Sequence, residues 1–310
     1  MRVLFWGTPS FATPPLRALL GEGFEVVGVV TQPDKPVGRS RSNVQASAVK
    51  QVAVEEGVTV LQPERPRGAD FLALLHALAP DISVVVAYGH ILPREVIDLP
   101  PRGTLNIHAS LLPVLRGAAP IQAAIRDGLA RTGVSIMRMV PKLDAGPVIL
   151  QLSTDVIEDE TYGELALRLS ELGATALIEA LALIDLDKAR EEPQDDAAMT
   201  FAPKITRDMT RVDWLRDARA VSRTIRAYDP RPGAFATLGG QEVKLFGARL
   251  APSGESAQPG QVTRADQDSL VITCGSGAVR LLQVQPAGKR RMSGAEWLRG
   301  RGIAVGQRFE

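Results

Sequence analysis

The sequence predicts an α/β chain in two parts, a doubly wound and mostly parallel sheet wrapped by helices, followed by a smaller β domain. Three observations carry that prediction. Apolar runs of strand length alternate with amphipathic helical segments as far as residue 184. An acidic, proline-containing stretch follows, and beyond it lie about five short strand candidates separated by turn residues.

Residues 2–6 read as a buried strand, and 11–20 as an amphipathic helix behind Ser10, a suitable N-cap. Further strands are expected at 25–31, 58–61, 81–88, 104–108 and 134–140, with helices at 44–56, 69–78, 118–127 and 162–184. The runs at 2–6 and 81–88 are apolar without alternation, as a strand covered on both faces requires. Crossovers of helical length join parallel neighbours and are right-handed, which makes the sheet doubly wound. The loop 32–43, with Pro33, Pro36 and Gly38 around Lys35, Arg39 and Arg41, is too irregular for helix or strand. Residues 185–206 mix acids with Pro193 and Pro203 and lack apolar periodicity, so they read as a linker. The expected organisation is a first domain at 1–188, a linker at 189–206 and a second domain at 207–310. In that second domain a helix is expected over 214–227 and strands at 234–238, 242–250, 261–264, 269–273 and 278–284, with a hairpin signal at Gly239-Gly240. Such a set suits a small barrel of the oligonucleotide-binding (OB) type, although strand count alone fits a sandwich equally.

Composition narrows the function classes. With 310 residues, 45% hydrophobic and 23% charged, the chain is globular in character and neither disordered nor fibrous. No apolar run approaches the roughly 18–20 residues of a membrane helix, and the N-terminal run meets Gly7-Thr8-Pro9 too soon for a signal peptide, so a cytoplasmic location without membrane contact is expected. A single cysteine, Cys274, excludes an internal disulfide, and His76, His90 and His108 are too scattered to suggest a metal site. The net charge of +1 hides an asymmetry. Residues 1–203 hold 18 Lys+Arg against 25 Asp+Glu, a net of −7, whereas residues 204–310 hold 18 against 10, a net of +8. A basic domain of this size is the footprint of a polyanion-binding surface, with simple solubilisation by arginine as the alternative.

The chemistry-bearing residues cluster between positions 104 and 147. The turn Gly7-Thr8-Pro9-Ser10-Phe11-Ala12 lacks the second glycine of a dinucleotide loop, which makes a nicotinamide cofactor a poor fit. Asn106 and His108 are two apart on a strand, so both side chains project from one face at the carboxyl end of the sheet, where open α/β folds place their sites. Such a pair can polarise one carbonyl oxygen; equally, Asn-x-His on a strand can be a structural Asn beside a surface His. Asp144 lies in Leu143-Asp144-Ala145-Gly146-Pro147, which by composition alone reads as a turn.

In combination these stretches say more. Asn106-Ile107-His108-Ala109-Ser110-Leu111-Leu112-Pro113 followed by Leu143-Asp144-Ala145-Gly146 resembles the signature of the folate-dependent formyltransferases. Gly7-Thr8-Pro9, Thr31-Gln32-Pro33-Asp34, Val84 to Gly89, Arg116 to Gln122 and Gln285-Pro286-Ala287-Gly288-Lys289 extend the likeness nearly end to end, most closely to the members that act on tRNA. The resemblance implies transfer of a formyl group from 10-formyltetrahydrofolate to the α-amine of methionyl initiator tRNA, for translation initiation. It implies a Rossmann-like domain holding folate and a barrel-like one holding tRNA, with no metal. Formyltransferases acting on nucleotide-linked aminosugars share the catalytic triplet and are the alternative enzyme class, and a non-catalytic RNA-binding protein is the alternative outside it.

Under that resemblance Asn106, His108 and Asp144 are the catalytic residues. A pterin ring needs an apolar slot with a few backbone hydrogen bonds, which places folate against Val86, Tyr88, Gly89 and Ile91 and against Ser110, Leu111, Leu112 and Pro113. The tRNA is assigned to Arg39 and Arg41 in the basic loop and to Lys204, Arg207, Lys289, Arg290 and Arg291. Two departures stand out: Ala46 and Ala48 occupy positions where the family usually has prolines, and His90 stands where an aliphatic residue is common.

Overall fold

A computed structural model describes residues 1–37, 43–252, 257–265 and 269–310; Arg39 and Arg41 lie outside the described residues. The chain divides into two compact units, one of residues 1–117, 132–154 and 166–201, the other of residues 118–131, 155–165 and 202–310.

The N-terminal elements are β1 (Arg2–Gly7), α1 (Thr13–Gly21), β2 (Glu25–Val30), β3 (Lys35–Val37), β4 (Asn43–Gln45), α2 (Ala48–Glu55), β5 (Val60–Leu61), α3 (Ala69–Leu78) and β6 (Ile82–Val86). They continue as α4 (Arg94–Ile97), β7 (Thr104–His108), α5 (Pro120–Arg126), β8 (Arg131–Arg138), β9 (Val148–Asp155) and α6 (Tyr162–Asp185). The seven-stranded sheet has the order β5-β2-β1-β6-β7-β8-β9. Its first five members are parallel, and β8 runs antiparallel to β7. The order reverses beside β1: the chain winds outward to β2 and β5, then returns to β6 on the other side. Such a switch point opens a crevice at the carboxyl ends of the two central strands.

Burial explains the continuous apolar runs. Val3, Leu4, Phe5 and Trp6 of β1 and all of β6 are buried. Trp6 sets its ring edge against Phe71 and Tyr88, at 6.1 and 5.3 Å between centroids, and each such large side chain contributes about 2 kcal/mol on burial. The indole N–H donates to Ser83 Oγ at 3.3 Å, so β1 leaves no polar atom of Trp6 unmet.

Three local expectations are corrected. Within the loop expected to be irregular, the described residues form the antiparallel pair β3–β4, with Lys35 opposite Gln45 and Pro36 opposite Val44; Pro36 is tolerated because, among the described residues, the pair has no further neighbour. Ser10 does not cap a helix. It starts a 3₁₀ turn, and α1 begins at Thr13 with Pro14 and Pro15 in its first turn, where missing N–H groups leave nothing for a cap to satisfy. The stretch 189–206 is not a free connector over its first part. Glu192 pairs with Val148 and Phe201 with Arg116 in isolated backbone bridges, and the Gln194 and Asp196 side chains bond Arg116, so tertiary bonds instead of an apolar stripe hold it.

The second unit carries α7 (Ala218–Ala227), β10 (Ala234–Leu238), β11 (Gln241–Ala251), β12 (Val262–Ala265), β13 (Leu270–Thr273), β14 (Ala278–Pro286), β15 (Met292–Ser293) and α8 (Gly294–Arg299). Its strands form an antiparallel sheet in the order β10-β11-β14-β13-β12, with β15 on β14. Glu310 exchanges both backbone hydrogen bonds with Thr237 in β10, while Phe309 donates to Gly260 and Gln307 accepts from Val262, so the last residues reach from one end strand to the other. The helix expected from 214 starts at 218, because the Asp217 carboxylate accepts the Ala220 N–H and caps it.

Candidate active site

Three chain segments at the carboxyl edge of the sheet are stitched together. Thr8, after β1, donates its hydroxyl to the Tyr88 carbonyl at 3.0 Å, and the Gln32 carboxamide, after β2, donates to the same oxygen at 3.0 Å. Gly7 has to be glycine: a Cβ there would meet Ala12 and Phe5 within 2.9 Å. Ala87 (φ 48) and Gly89 (φ 89) turn the chain sharply out of β6. Here the expected folate residues separate into two groups. Val86 and the Tyr88 ring belong to the core, and burial pushes the Tyr88 phenol up to about 12. Its hydroxyl has no hydrogen-bond partner among the described residues. Gly89, His90 and Ile91 are exposed, Ile91 at 87%.

β7 presents the pair that strand alternation predicts. Asn106 is half-buried, and its carboxamide makes no hydrogen bond among the described residues. His108 is only 5% exposed. Its Nε2 lies 2.9 Å from the Leu115 carbonyl, which can only accept, so Nε2 carries the proton. Nδ1 is the nitrogen left for chemistry, and it faces Asp144 Oδ2 at 3.8 Å. Asp144, 12% exposed at its side chain, accepts the Gly117 N–H at 2.8 Å through the same Oδ2. The turn predicted by composition is real, with Asp144 at φ 47, and it aims the carboxylate at the imidazole.

The loop after β7 is anchored from β8 and β9. Ser135 Oγ donates to the Ser110 carbonyl at 2.6 Å and accepts the Leu112 N–H at 3.0 Å. Gln151 donates to the Leu112 carbonyl and to Ser135 Oγ, both at 2.8 Å. Ser110 and Leu112 are buried by this arrangement, whereas Leu111 and Pro113 are partly open. Arg116 is 1% exposed; its Nε donates to Gln194 Oε1 at 2.9 Å and its Nη1 to Asp196 at 2.8 Å. Bonds from Lys142 and Arg116 hold the Asp196 carboxyl below the usual carboxylate value. The Thr200 hydroxyl accepts the Leu115 N–H at 2.8 Å. Sequence reasoning missed Leu115, Gly117, Ser135, Gln151, Gln194 and Thr200. Two of these act through backbone atoms, which carry no side-chain signal, and two lie in the stretch read as a linker.

The expected tRNA residues are unevenly placed. Arg207 is paired with Glu242 and lies over the Phe235 ring, Arg290 is paired with Glu296, and Arg291 is paired with Asp229 and lies over Phe246 at 3.9 Å. Lys204 and Lys289 have no side-chain partner among the described residues. Among those residues no three His, Cys, Asp or Glu side chains converge as a metal site, and no helix is long and apolar enough to cross a membrane.

The family model described as formyl transferase matches residues 1–181, and that for the formyl transferase C-terminal domain matches residues 204–302. The chain belongs to the formyl transferase family. Among relatives in this family, the methionyl-tRNA formyltransferase of Methylococcus capsulatus is 45% identical over 304 residues, 98% of each chain. HypX from Aquifex aeolicus, solved with tetrahydrofolic acid, superimposes with a TM-score of 0.70 at 22% identity, over 98% of this chain and 48% of that one. Methionyl-tRNA formyltransferase from Clostridium thermocellum gives 0.57 at 13% identity, over 83% of this chain and 95% of that one. At those identities the two structures speak for the shared formyl transferase fold.

Proposed function

We infer that the chain transfers a formyl group from 10-formyltetrahydrofolate to the α-amino group of methionyl initiator tRNA. The observation that carries this reading is the full-length identity of 45% to a methionyl-tRNA formyltransferase, combined with Asn106, His108 and Asp144 gathered at one strand end. Aminosugar formyltransferases are disfavoured by that same full-length match and by the +8 charge of residues 204–310.

The donor supplies a formyl carbon whose oxygen becomes anionic when an amine attacks. Asn106, whose carboxamide is uncommitted, donates a hydrogen bond to that oxygen. A donor so placed is worth roughly 3–4 kcal/mol when judged by its removal. Because Nε2 is fixed on Leu115, His108 can add a second donor to that oxygen only through an Nδ1 that carries a proton, and Asp144 Oδ2 stands beside that nitrogen at 3.8 Å. Once the amine has bonded to the formyl carbon and its nitrogen has become cationic, Asp144 relays the proton from that nitrogen toward the departing folate nitrogen, directly or through an ordered water. For folate, the exposed Ile91 beside the turn Ala87–Gly89 offers apolar surface, and the partly open Leu111 and Pro113 offer more. The relative solved with tetrahydrofolic acid supports a tetrahydrofolate-derived formyl donor.

Residues 1–188 would form the catalytic domain, 189–206 its connection, and 207–310 an OB-like tRNA-binding domain, the tail linking β10 to β12 supporting a closed barrel. Lys204, Lys289 and the loop arginines Arg39 and Arg41 would contact phosphates, with Arg39 placing the aminoacyl end. The deciding experiment is an acid-gel assay for formylated methionyl-tRNA with 10-formyltetrahydrofolate as donor. Formylation of methionyl-tRNA is expected; turnover only on a nucleotide-linked aminosugar, or tRNA binding with no turnover, would replace this reading.

A further inference from the structure

We propose that Gln194 is a positioning residue for the reaction, its carboxamide setting the turn that carries Asp144 and tying that turn to Arg116 on the facing loop. The proposal rests on the formyl-transfer reading, in which Asp144 acts beside His108.

A primary carboxamide has two N–H donors and one acceptor oxygen. Gln194 uses all three on two separate loops. Its Nε2 donates to the Asp144 carbonyl at 2.9 Å and to the Gly146 carbonyl at 2.7 Å, and its Oε1 accepts from Arg116 Nε at 2.9 Å. Arg116 is a fixed post, fully buried and held a second time by Asp196. The turn it steadies needs holding. Asp144 is left-handed at φ 47, a conformation a side-chain-bearing residue keeps only where its surroundings impose it. Gly146 admits no side chain, since a Cβ would lie 1.8 Å from the Arg138 carbonyl oxygen, so the turn cannot be braced by packing a larger residue there.

Distance makes the bracing matter. Asp144 Oδ2 is bonded to the Gly117 N–H at 2.8 Å but stands 3.8 Å from His108 Nδ1, just outside hydrogen-bond reach. A small rotation of the turn decides whether that carboxylate meets the imidazole. Gln194 lies 50 residues from Asp144 in sequence and touches its backbone, not its carboxylate, so it acts through Asp144.

Gln194→Glu tests this on the full chain. Glutamate keeps the length and the contact to Arg116 but loses both donors, and turns an anion toward two carbonyl oxygens. Gln194→Met removes all three bonds at similar volume. In steady-state formylation of methionyl-tRNA, each variant is expected to lower kcat about 10- to 100-fold, with KM for tRNA and for the formyl donor within about twofold of wild type and the unfolding temperature retained. In an Asp144→Asn background, followed by single-turnover rates, the same substitutions should cause no further loss, because nothing remains for Gln194 to aim. Wild-type kcat in both variants, or an equal fold-loss with and without Asp144, overturns the proposal, as does failure of both variants to fold. An active wild-type chain with unimpaired Gln194 variants removes the positioning role alone, whereas a wild-type chain that formylates no methionyl-tRNA removes the functional reading and this inference together.

Discussion

The two regions expected to act on substrate handle polar groups in opposite ways. At the end of β7, the Asn106 carboxamide makes no hydrogen bond among the described residues, while each charged or ring side chain near it is held by at least one bond: His108 to Leu115, Asp144 to Gly117, Arg116 to Gln194 and Asp196. In the second unit, which carries the positive charge, several arginines are already paired. Arg207 and Arg291 each hold a carboxylate and cover an aromatic ring, and Arg226 is buried with its guanidinium on the Glu160 carbonyl. Net charge therefore overstates the cations available to a polyanion. Chemistry needs a few fixed groups and one free donor, whereas phosphate binding needs free cations on a stable frame.

The largest effects should come from the first region. Asn106→Ala, His108→Ala and Asp144→Ala should each lower kcat about 100-fold or more with the fold intact, as checked by steady-state formylation and circular dichroism. A variant that turned over like wild type would break the distinction between free and structural polar groups there. Next in size are the arginines that belong to the frame. Arg291→Met removes a ring contact and one partner of the nearly buried Asp229 carboxylate, and should cost about 3 kcal/mol in urea unfolding. Lys289→Ala should leave the urea midpoint unchanged while flattening the salt dependence of tRNA binding by about one unit. If Lys289→Ala destabilised the chain and Arg291→Met weakened only tRNA binding, the assignment of the two cations would be reversed.

Much of the frame was legible in the sequence because burial on both faces leaves an unbroken apolar run, as in β1 and β6, and because turn residues punctuate β10 to β14. The pairing of Asn106 with His108, the proposed catalytic residues of this strand, was legible because strand alternation puts both on one face. What escaped depends on long-range contacts. Gln194 reads as one more polar residue in an acidic stretch until the fold brings it to Asp144. Nothing in the sequence marks Arg291 as a frame residue and Lys289 as a free one. One missed element did carry a local signal: Ser293 and Glu296 form a reciprocal cap that starts α8, and Ser-x-x-Glu stands in the sequence.

The smallest effect expected is a pH dependence. Lys142 and Arg116 depress the Asp196 carboxyl below its ordinary 3.8, so its contribution is complete above that value and is lost as pH falls through the depressed one. Asp196→Asn should accordingly be less stable than wild type at neutral pH, and the gap should close as pH falls below 3.8 and through the depressed value when unfolding is followed by denaturant titration. A gap that stayed constant down to that pH would mean the carboxylate's charge contributes nothing to holding the 190–201 segment.

In the proposed reaction Asn106, His108 and Asp144 act as one unit on formyl transfer to methionyl-tRNA. Single-turnover formylation by the three alanine variants and by the triple variant tests it most directly. Losses that act on one transition state are not multiplied, so the triple variant should be about as slow as the slowest single variant. A triple variant slowed by the product of the three separate losses would show three independent contributions and contradict the account.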